Sequence, residues 1–119
     1  MAVLVSLLSF GKGSWAKVAN LCNAYDWEEI ILIGDQFSKE KFSLNKPFKL
    51  IVVNLKLKRE KLRDEIANKI KDEIKYPEVA LNISSGDGDM HMALISAILK
   101  CGVGIRFVDL DEENKIIEV

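Results

Sequence analysis

The residues best suited to chemistry in this chain lie between positions 82 and 92, where the sequence reads NISSGDGDMHM. An apolar segment, residues 79–83, leads into this run, and a nearly all-apolar segment, residues 90–99, ends it. That order predicts a strand, a tight loop and the N-terminus of a helix. The first turn of a helix has unpaired backbone N–H groups and the positive end of the helix dipole, so the loop suits a phosphate or another anionic ligand.

Asp87 and Asp89 bring negative charge into this loop. Each of them could instead cap the helix. Because carboxylates that face a polyanion are unfavourable, we expect both side chains to turn aside and cap the helix that starts near Met90. The backbone N–H groups of Gly86 and Gly88 would then face the ligand.

Composition limits the classes of protein to which the chain can belong. Its 119 residues are 49% hydrophobic and carry a formal net charge of −1. This fits one domain, residues 1–119, with a real core, and it argues against direct DNA binding, which needs a basic face. Cys22 and Cys101 lack metal-ligand spacing, so we expect reduced core cysteines, no metal, no cofactor and a cytoplasmic location. No apolar run reaches the roughly 18 residues of a membrane span.

Apolar runs and helical periodicities alternate along the chain. The sequence predicts strands at residues 2–9, 29–34, 48–55, 78–83, 105–110 and 115–119, and helices at residues 15–25, 59–75 and 90–100. Residues 35–47 are polar and leave room for one short helix at most. Ser14 is expected to cap the first helix, Pro77 to end the second, and Gly102 to take the left-handed conformation after the third.

Continuous apolar strands that alternate with helices indicate a parallel sheet covered on both faces. Right-handed crossovers favour an α/β fold with a Rossmann-like, doubly wound, mostly parallel sheet in the order 3-2-1-4-5, closed by a C-terminal antiparallel edge hairpin. The first and fourth strands are then neighbours where the winding reverses, and ligands of such sheets bind there, outside the strand carboxyl ends. Two glycine- and serine-rich loops border this point, residues 9–14 and 84–89. We predict the ligand site between them.

The Asn-x-Ser-x-Gly run that ends the fourth strand, followed by a helix that opens with Met90, resembles the motif of CARF domains, the CRISPR-associated Rossmann fold. The resemblance extends to the order of the elements, the apolar first strand with its Ser/Gly loop, and the final hairpin. It departs where the family often has a basic residue. This chain has Gly88 there, between Asp87 and Asp89, which leaves Lys12 as the nearest substitute.

The resemblance implies a homodimer that binds a cyclic oligoadenylate second messenger of antiviral defence across its two-fold axis. The residues that carry over from the family's motif and first-strand loop are Asn82, Ser84, Ser85, Gly86, Ser9, Phe10 and Gly11. The predicted ligand site also includes their loop neighbours Lys12, Gly13, Asp87 and Gly88.

Some CARF domains are ring nucleases, which cleave their ligand by attack of its own 2′-OH on the adjacent phosphate and use no metal. That chemistry needs in-line geometry and a group that stabilises the charged transition state. Ser9, Lys12 and His91 are the candidate catalytic residues. The sequence leaves open whether the ligand is cleaved.

The helix of residues 90–99 is apolar nearly all round, which is more than covering a sheet requires. This additional apolar surface predicts a dimer face with Met90, His91, Leu94 and Ile98 near the two-fold axis. The alternative is a helix buried beneath other elements of the same chain.

Two other functions fit parts of the sequence. The run Gly11-x-Gly13-x-x-Ala16 matches the dinucleotide fingerprint, and Asp35 ends the second strand, where an acidic residue could bind a ribose. This pattern predicts an NAD-type dinucleotide sensor. A ligand-free dimerisation module is the third hypothesis.

Overall fold

The computed structural model describes residues 2–9 and 13–119. Three residues of the predicted site, Phe10, Gly11 and Lys12, therefore lie outside the described residues. The elements follow one another as β1 (Val3–Leu8), α1 (Trp15–Asn23), β2 (Glu29–Gly34), α2 (Gln36–Lys41), β3 (Lys49–Val52), α3 (Arg59–Ile70), β4 (Glu78–Asn82), α4 (Gly88–Lys100), β5 (Gly104–Leu110) and β6 (Ile116–Glu118).

The strands form one six-stranded sheet in the order β3-β2-β1-β4-β5-β6. All neighbouring pairs are parallel except β5 and β6, which form the antiparallel hairpin at one edge. β1 and β4 lie side by side where the winding reverses, with Ser6 opposite Asn82. The predicted α/β Rossmann-like fold is thus confirmed, including its strand order and edge hairpin.

Two cores explain why the central strands are continuous apolar runs. Val3, Val5 and Leu7 of β1 pack on the side of α3 and α4, whereas Leu4 and Leu8 pack on the side of α1. Every residue of β1 is buried, as expected of a parallel strand covered on both faces.

The two cysteines take part in these cores. Cys22 is buried, as predicted, and burial raises the pKa of its thiol to about 11, so the thiol stays protonated. Cys101 is half-buried beside α3, where its Sγ lies 3.8 Å from the Ala67 carbonyl oxygen.

Some boundaries differ from the predicted ones. α3 ends at Ile70, well before Pro77, and a turn follows in which the backbone N–H groups of Glu73 and Ile74 both bond to the Ile70 carbonyl. The chain turns there and buries Ile74 in the core. β3 is shorter than predicted because the chain turns at Asn54, whose Oδ1 accepts the Lys56 N–H. Within the described ranges, no helix is long and apolar enough to cross a bilayer.

Candidate functional site

A cluster of three serine hydroxyls joins the two predicted ligand loops beyond the carboxyl ends of β1 and β4. The Oγ of Ser85 accepts the backbone N–H of Ser9 at 2.8 Å and donates to the Oγ of Ser9 at 2.9 Å. The Oγ of Ser14 lies 2.7 Å from the Oγ of Ser85 and donates to it, since the Ser85 proton is already used.

Through these hydrogen bonds Ser85 holds the two loops together. A hydroxyl offers one donor and two acceptor positions, and the bonds to Ser9 and Ser14 occupy all of them. Ser85 is also fully buried. It therefore positions the site and leaves ligand contact to its neighbours.

The predicted side-chain cap at Ser14 is wrong, although α1 does begin directly after this residue. Within the described residues the Ser14 hydroxyl makes no capping hydrogen bond. The reason is that Ser85 engages this hydroxyl instead. Nothing local in the sequence indicates this contact, because the two serines are 71 positions apart.

Trp15 is a site residue that the sequence reasoning missed. Its indole Nε1–H donates to the Ser9 carbonyl at 3.1 Å, which holds the end of β1 against α1. A buried tryptophan usually has a hydrogen-bond partner for its indole N–H. The position of Trp15 at the start of α1, beside the serine-rich loop, is the sequence feature that could have identified it as a site residue.

Asn82 connects β4 to β5 and to the ligand loop. Its Nδ2 donates to the Val108 carbonyl at 2.9 Å, and its Oδ1 accepts the Ser84 N–H at 3.0 Å. The side chain is buried, so its amide orients the loop from beneath. The residue that it positions, Ser84, is exposed.

Gly86 and His91 shape the loop above α4. Gly86 has a φ of 98°, in the left-handed region that favours glycine. The Nε2 of His91 lies 2.8 Å from the Ser85 carbonyl oxygen. Because a carbonyl only accepts, Nε2 carries the proton in this contact. Two candidate catalytic residues, Ser9 and His91, thus both bond to Ser85, one at its hydroxyl and the other at its carbonyl.

The two acidic residues of the loop behave differently. Asp87 is the N-cap of α4 and accepts the Met90 N–H at 2.9 Å, as predicted. The predicted capping by Asp89 is wrong. Asp89 lies inside the first turn, and its exposed carboxylate faces α3, with Oδ1 3.4 Å from Nη1 of Arg59. The loop therefore directs its capping carboxylate inward and the other one sideways.

Replacing Asp87 by alanine should lower the free energy of unfolding by about 1 kcal/mol, since the Met90 N–H loses its partner. Asp87→Asn should keep most of the stability because asparagine caps helices equally well. The control is Asp89→Ala, for which we expect a clearly smaller loss because its ion pair is exposed. Urea denaturation measures all three variants, and equal losses for the two alanine variants would contradict the assignment.

The predicted dimer face is not the exposed face of α4. Met90, Leu94 and Ile98 are buried in the core of their own chain, so they are unavailable to a partner. The exposed apolar side chains are Met92 (57%) and Leu99 (56%), on the opposite side of the helix. They border a shallow cleft of about 590 Å³ whose lining consists of Gly88, Met92, Ile95, Ser96, Leu99 and Lys100.

The dinucleotide fingerprint fits the structure poorly. Its last small residue serves to pack helix against strand, but Ala16 is exposed. Asp35 caps α2, with its Oδ1 2.8 Å from both the backbone nitrogen and the Oγ of Ser38. Gly11 lies outside the described residues, and a Cβ added at Gly13 would meet no atom of the described residues within 4 Å.

The described part of the site offers the exposed Ser84 hydroxyl, backbone N–H groups and the N-terminus of α4. Such groups suit an anionic ligand rich in hydrogen-bonding atoms. In the described ranges, no group of three or more His, Cys, Asp or Glu residues could hold a metal ion. The chain matches no known protein-family model and no curated protein.

Proposed function

We propose that this chain is a sensor that binds a cyclic oligoadenylate as a homodimer, in the manner of CARF domains. The observation that carries the proposal is the serine cluster at the β1–β4 switch point. Ser9, Ser14 and Ser85 bond the two ligand loops to each other at the place where sheets of this order bind ligands. The proposed role is CRISPR-associated antiviral signalling in the cytoplasm.

The loop chemistry supports an anionic ligand with phosphates. The exposed Ser84 hydroxyl and the backbone of Gly86 lie between the end of β4 and α4, and Gly88 is the first residue of that helix. The dipole of this helix favours negative charge at its N-terminus. The Asp87 carboxylate accepts the Met90 N–H as the cap, which is a different donor from the Ser84 hydroxyl and the Gly86 N–H.

The described contacts favour binding over cleavage. Ser9 is buried and bonded to Ser85, and the Nε2 proton of His91 is donated to the Ser85 carbonyl. A ring nuclease needs such groups directed at the phosphate that is attacked. We therefore propose a sensor, with ring cleavage as an activity to be assayed separately.

The NAD-type alternative is disfavoured by the exposed Ala16 and the occupied Asp35. The ligand-free dimerisation module is compatible with the apolar face of α4, but it gives no role to the serine cluster. A direct binding measurement separates the three hypotheses.

Isothermal titration calorimetry with cyclic tetra-adenylate, cyclic hexa-adenylate and NAD tests the proposal. We expect one ring to bind per two chains and NAD not to bind. Ser84→Glu adds a negative charge at the exposed loop and should weaken ring binding by at least about tenfold at low salt. Ser43→Glu is the matched control, since Ser43 is also exposed but lies beyond the C-terminal end of α2.

Binding of NAD would support the dinucleotide hypothesis and overturn ours. Absence of any binding would leave the dimerisation module as the better hypothesis. If Ser84→Glu and Ser43→Glu weaken ring binding equally, the affinity depends on the net charge of the protein, and the ring does not bind at the β4–α4 loop.

A further inference from the structure

An exposed aromatic side chain, Phe37, lies close to the proposed site. It belongs to the first turn of α2, which follows the carboxyl end of β2, and 45% of its surface is exposed. Its ring centroid is 5.8 Å from that of Trp15, with the ring planes tilted by 41°. Trp15 in turn bonds to the carbonyl of Ser9, a member of the serine cluster. Two contacts, from Phe37 to Trp15 and from Trp15 to Ser9, therefore link Phe37 to the site.

The position of Phe37 is fixed by its neighbours in the chain. Asp35 caps α2, and the fully buried Ser38 places its Oγ 3.4 Å from the Leu8 carbonyl oxygen. Gly34 permits this approach, because a Cβ there would lie 2.9 Å from the same oxygen. The first turn of α2, which carries Phe37, is thus packed against the end of β1.

The Phe37 ring packs against Trp15 on one side and is exposed on the other. Behind it, Trp15 packs edge-on against Phe42, and Phe42 packs edge-on against Phe48, with ring centroids 5.8 and 5.7 Å apart. Phe42 is buried, whereas Phe37 remains accessible at the outer end of this aromatic series. An aromatic ring that packs against other side chains on one side and is exposed on the other can stack a nucleobase.

We propose that Phe37 is a stacking surface for a nucleobase of the nucleotide bound at the β1–β4 edge. The proposal rests on the proposed function, since it assigns one base of that ligand. β2 lies on the side of β1 away from β4, so Phe37 flanks the site. In a cyclic oligonucleotide the bases project outward from the ring of phosphates. A ring whose phosphates face the N-terminus of α4 would thus direct bases toward such flanking positions.

The test compares four variants of Phe37 and a control in titrations with cyclic tetra-adenylate and cyclic hexa-adenylate. Phe37→Ala and Phe37→Leu should weaken binding between about fivefold and 150-fold, the range that loss of base–aromatic stacking commonly gives. Phe37→Tyr and Phe37→Trp should bind like the original chain. The matched control is Tyr25→Ala: Tyr25 is equally exposed at 45% and packs against Trp27, but it follows α1 at the opposite end of the sheet.

A second measurement separates stacking from simple burial. In this measurement one adenine of the cyclic oligoadenylate is replaced by the fluorescent base 2-aminopurine. Its fluorescence should be quenched when the ring binds Phe37→Tyr and should be quenched less when it binds Phe37→Leu. If Phe37→Leu binds and quenches as the original chain does, the stacking proposal is overturned. If the original chain binds neither ring, the proposed function itself fails. Should Phe37→Ala unfold, the Leu and Tyr variants still decide the question.

Discussion

Replacing Gly86 by alanine should lower the free energy of unfolding by about 2–4 kcal/mol, a large effect for one added methyl group. Two causes act together. The φ of 98° strains any residue with a side chain, and a Cβ at this position would overlap Cδ2 of Leu7. Leu7 is fully buried in the centre of the sheet, where close packing makes a shift of its side chain costly.

Gly88 provides the matched control two positions further along the loop. A Cβ added there meets nothing within 4 Å, and the residue is the first of α4. Gly88→Ala should therefore leave the stability within about 1 kcal/mol of the original, on the favourable side if helix propensity dominates. Urea denaturation with matching m-values measures both variants. Similar losses for both would mean that neither glycine position tolerates a side chain and that the contact with Leu7 is not the cause.

Gly86→Ala also tests how the loop is coupled to the core. Its neighbour Ser85 clamps the two ligand loops, so displacement of the backbone at position 86 should disturb the bonds from Ser85 to Ser9 and Ser14. Ligand binding should weaken in Gly86→Ala even at temperatures where the variant is still folded.

The strand order could be predicted because the physical signals were strong and local. Strands such as β1 and β2 are buried on both faces, so they read as continuous apolar runs, and handedness leaves few ways to connect them. The end of α3 is harder to predict from the sequence. The apolar stripe continues from Ile70 to Ile74, but the chain has already left the helix when it buries Ile74.

The contacts of the site could not be predicted, because they join distant parts of the chain. Ser85 and Ser9 are 76 positions apart, and any serine in the two loops could have faced a ligand. Asp87 and Asp89 are identical in type, and only the exact start of α4 decides which of them caps it. A sequence pattern locates the loops but does not show which hydroxyls are used up in holding them together.

The apolar character of α4 illustrates the same limit. The sequence predicted more apolar surface than one sheet can cover, but it could not say which side of the helix is covered. The structure places Leu94 and Ile98 in the core and leaves Met92 and Leu99 exposed. The dimer prediction therefore moves to the α4 outer face, which we define as Met92, Ile95 and Leu99. These residues are spaced by three and four positions and so share one side of the helix.

We expect the original chain to be a dimer through the α4 outer face and Leu99→Glu to be a monomer. In a two-fold interface each substitution occurs twice on facing surfaces, so Leu99→Glu removes apolar area and places two carboxylates near each other. Because Leu99 is 56% exposed in the single chain, the fold of the subunit should be unaffected. Sedimentation velocity over a concentration series measures the association, and thermal unfolding checks the fold.

Tyr25→Glu is the matched control, since it places the same charge on an exposed side chain beyond the end of α1. It should leave the dimer intact. A second readout links association to function: if each subunit supplies half of the site, Leu99→Glu should also lose binding of cyclic oligoadenylate. A dimer that survives Leu99→Glu would move the interface away from α4. A monomeric variant that binds the ring as tightly as the original chain would show that one subunit holds a complete site, and the two-fold arrangement would then have to be abandoned.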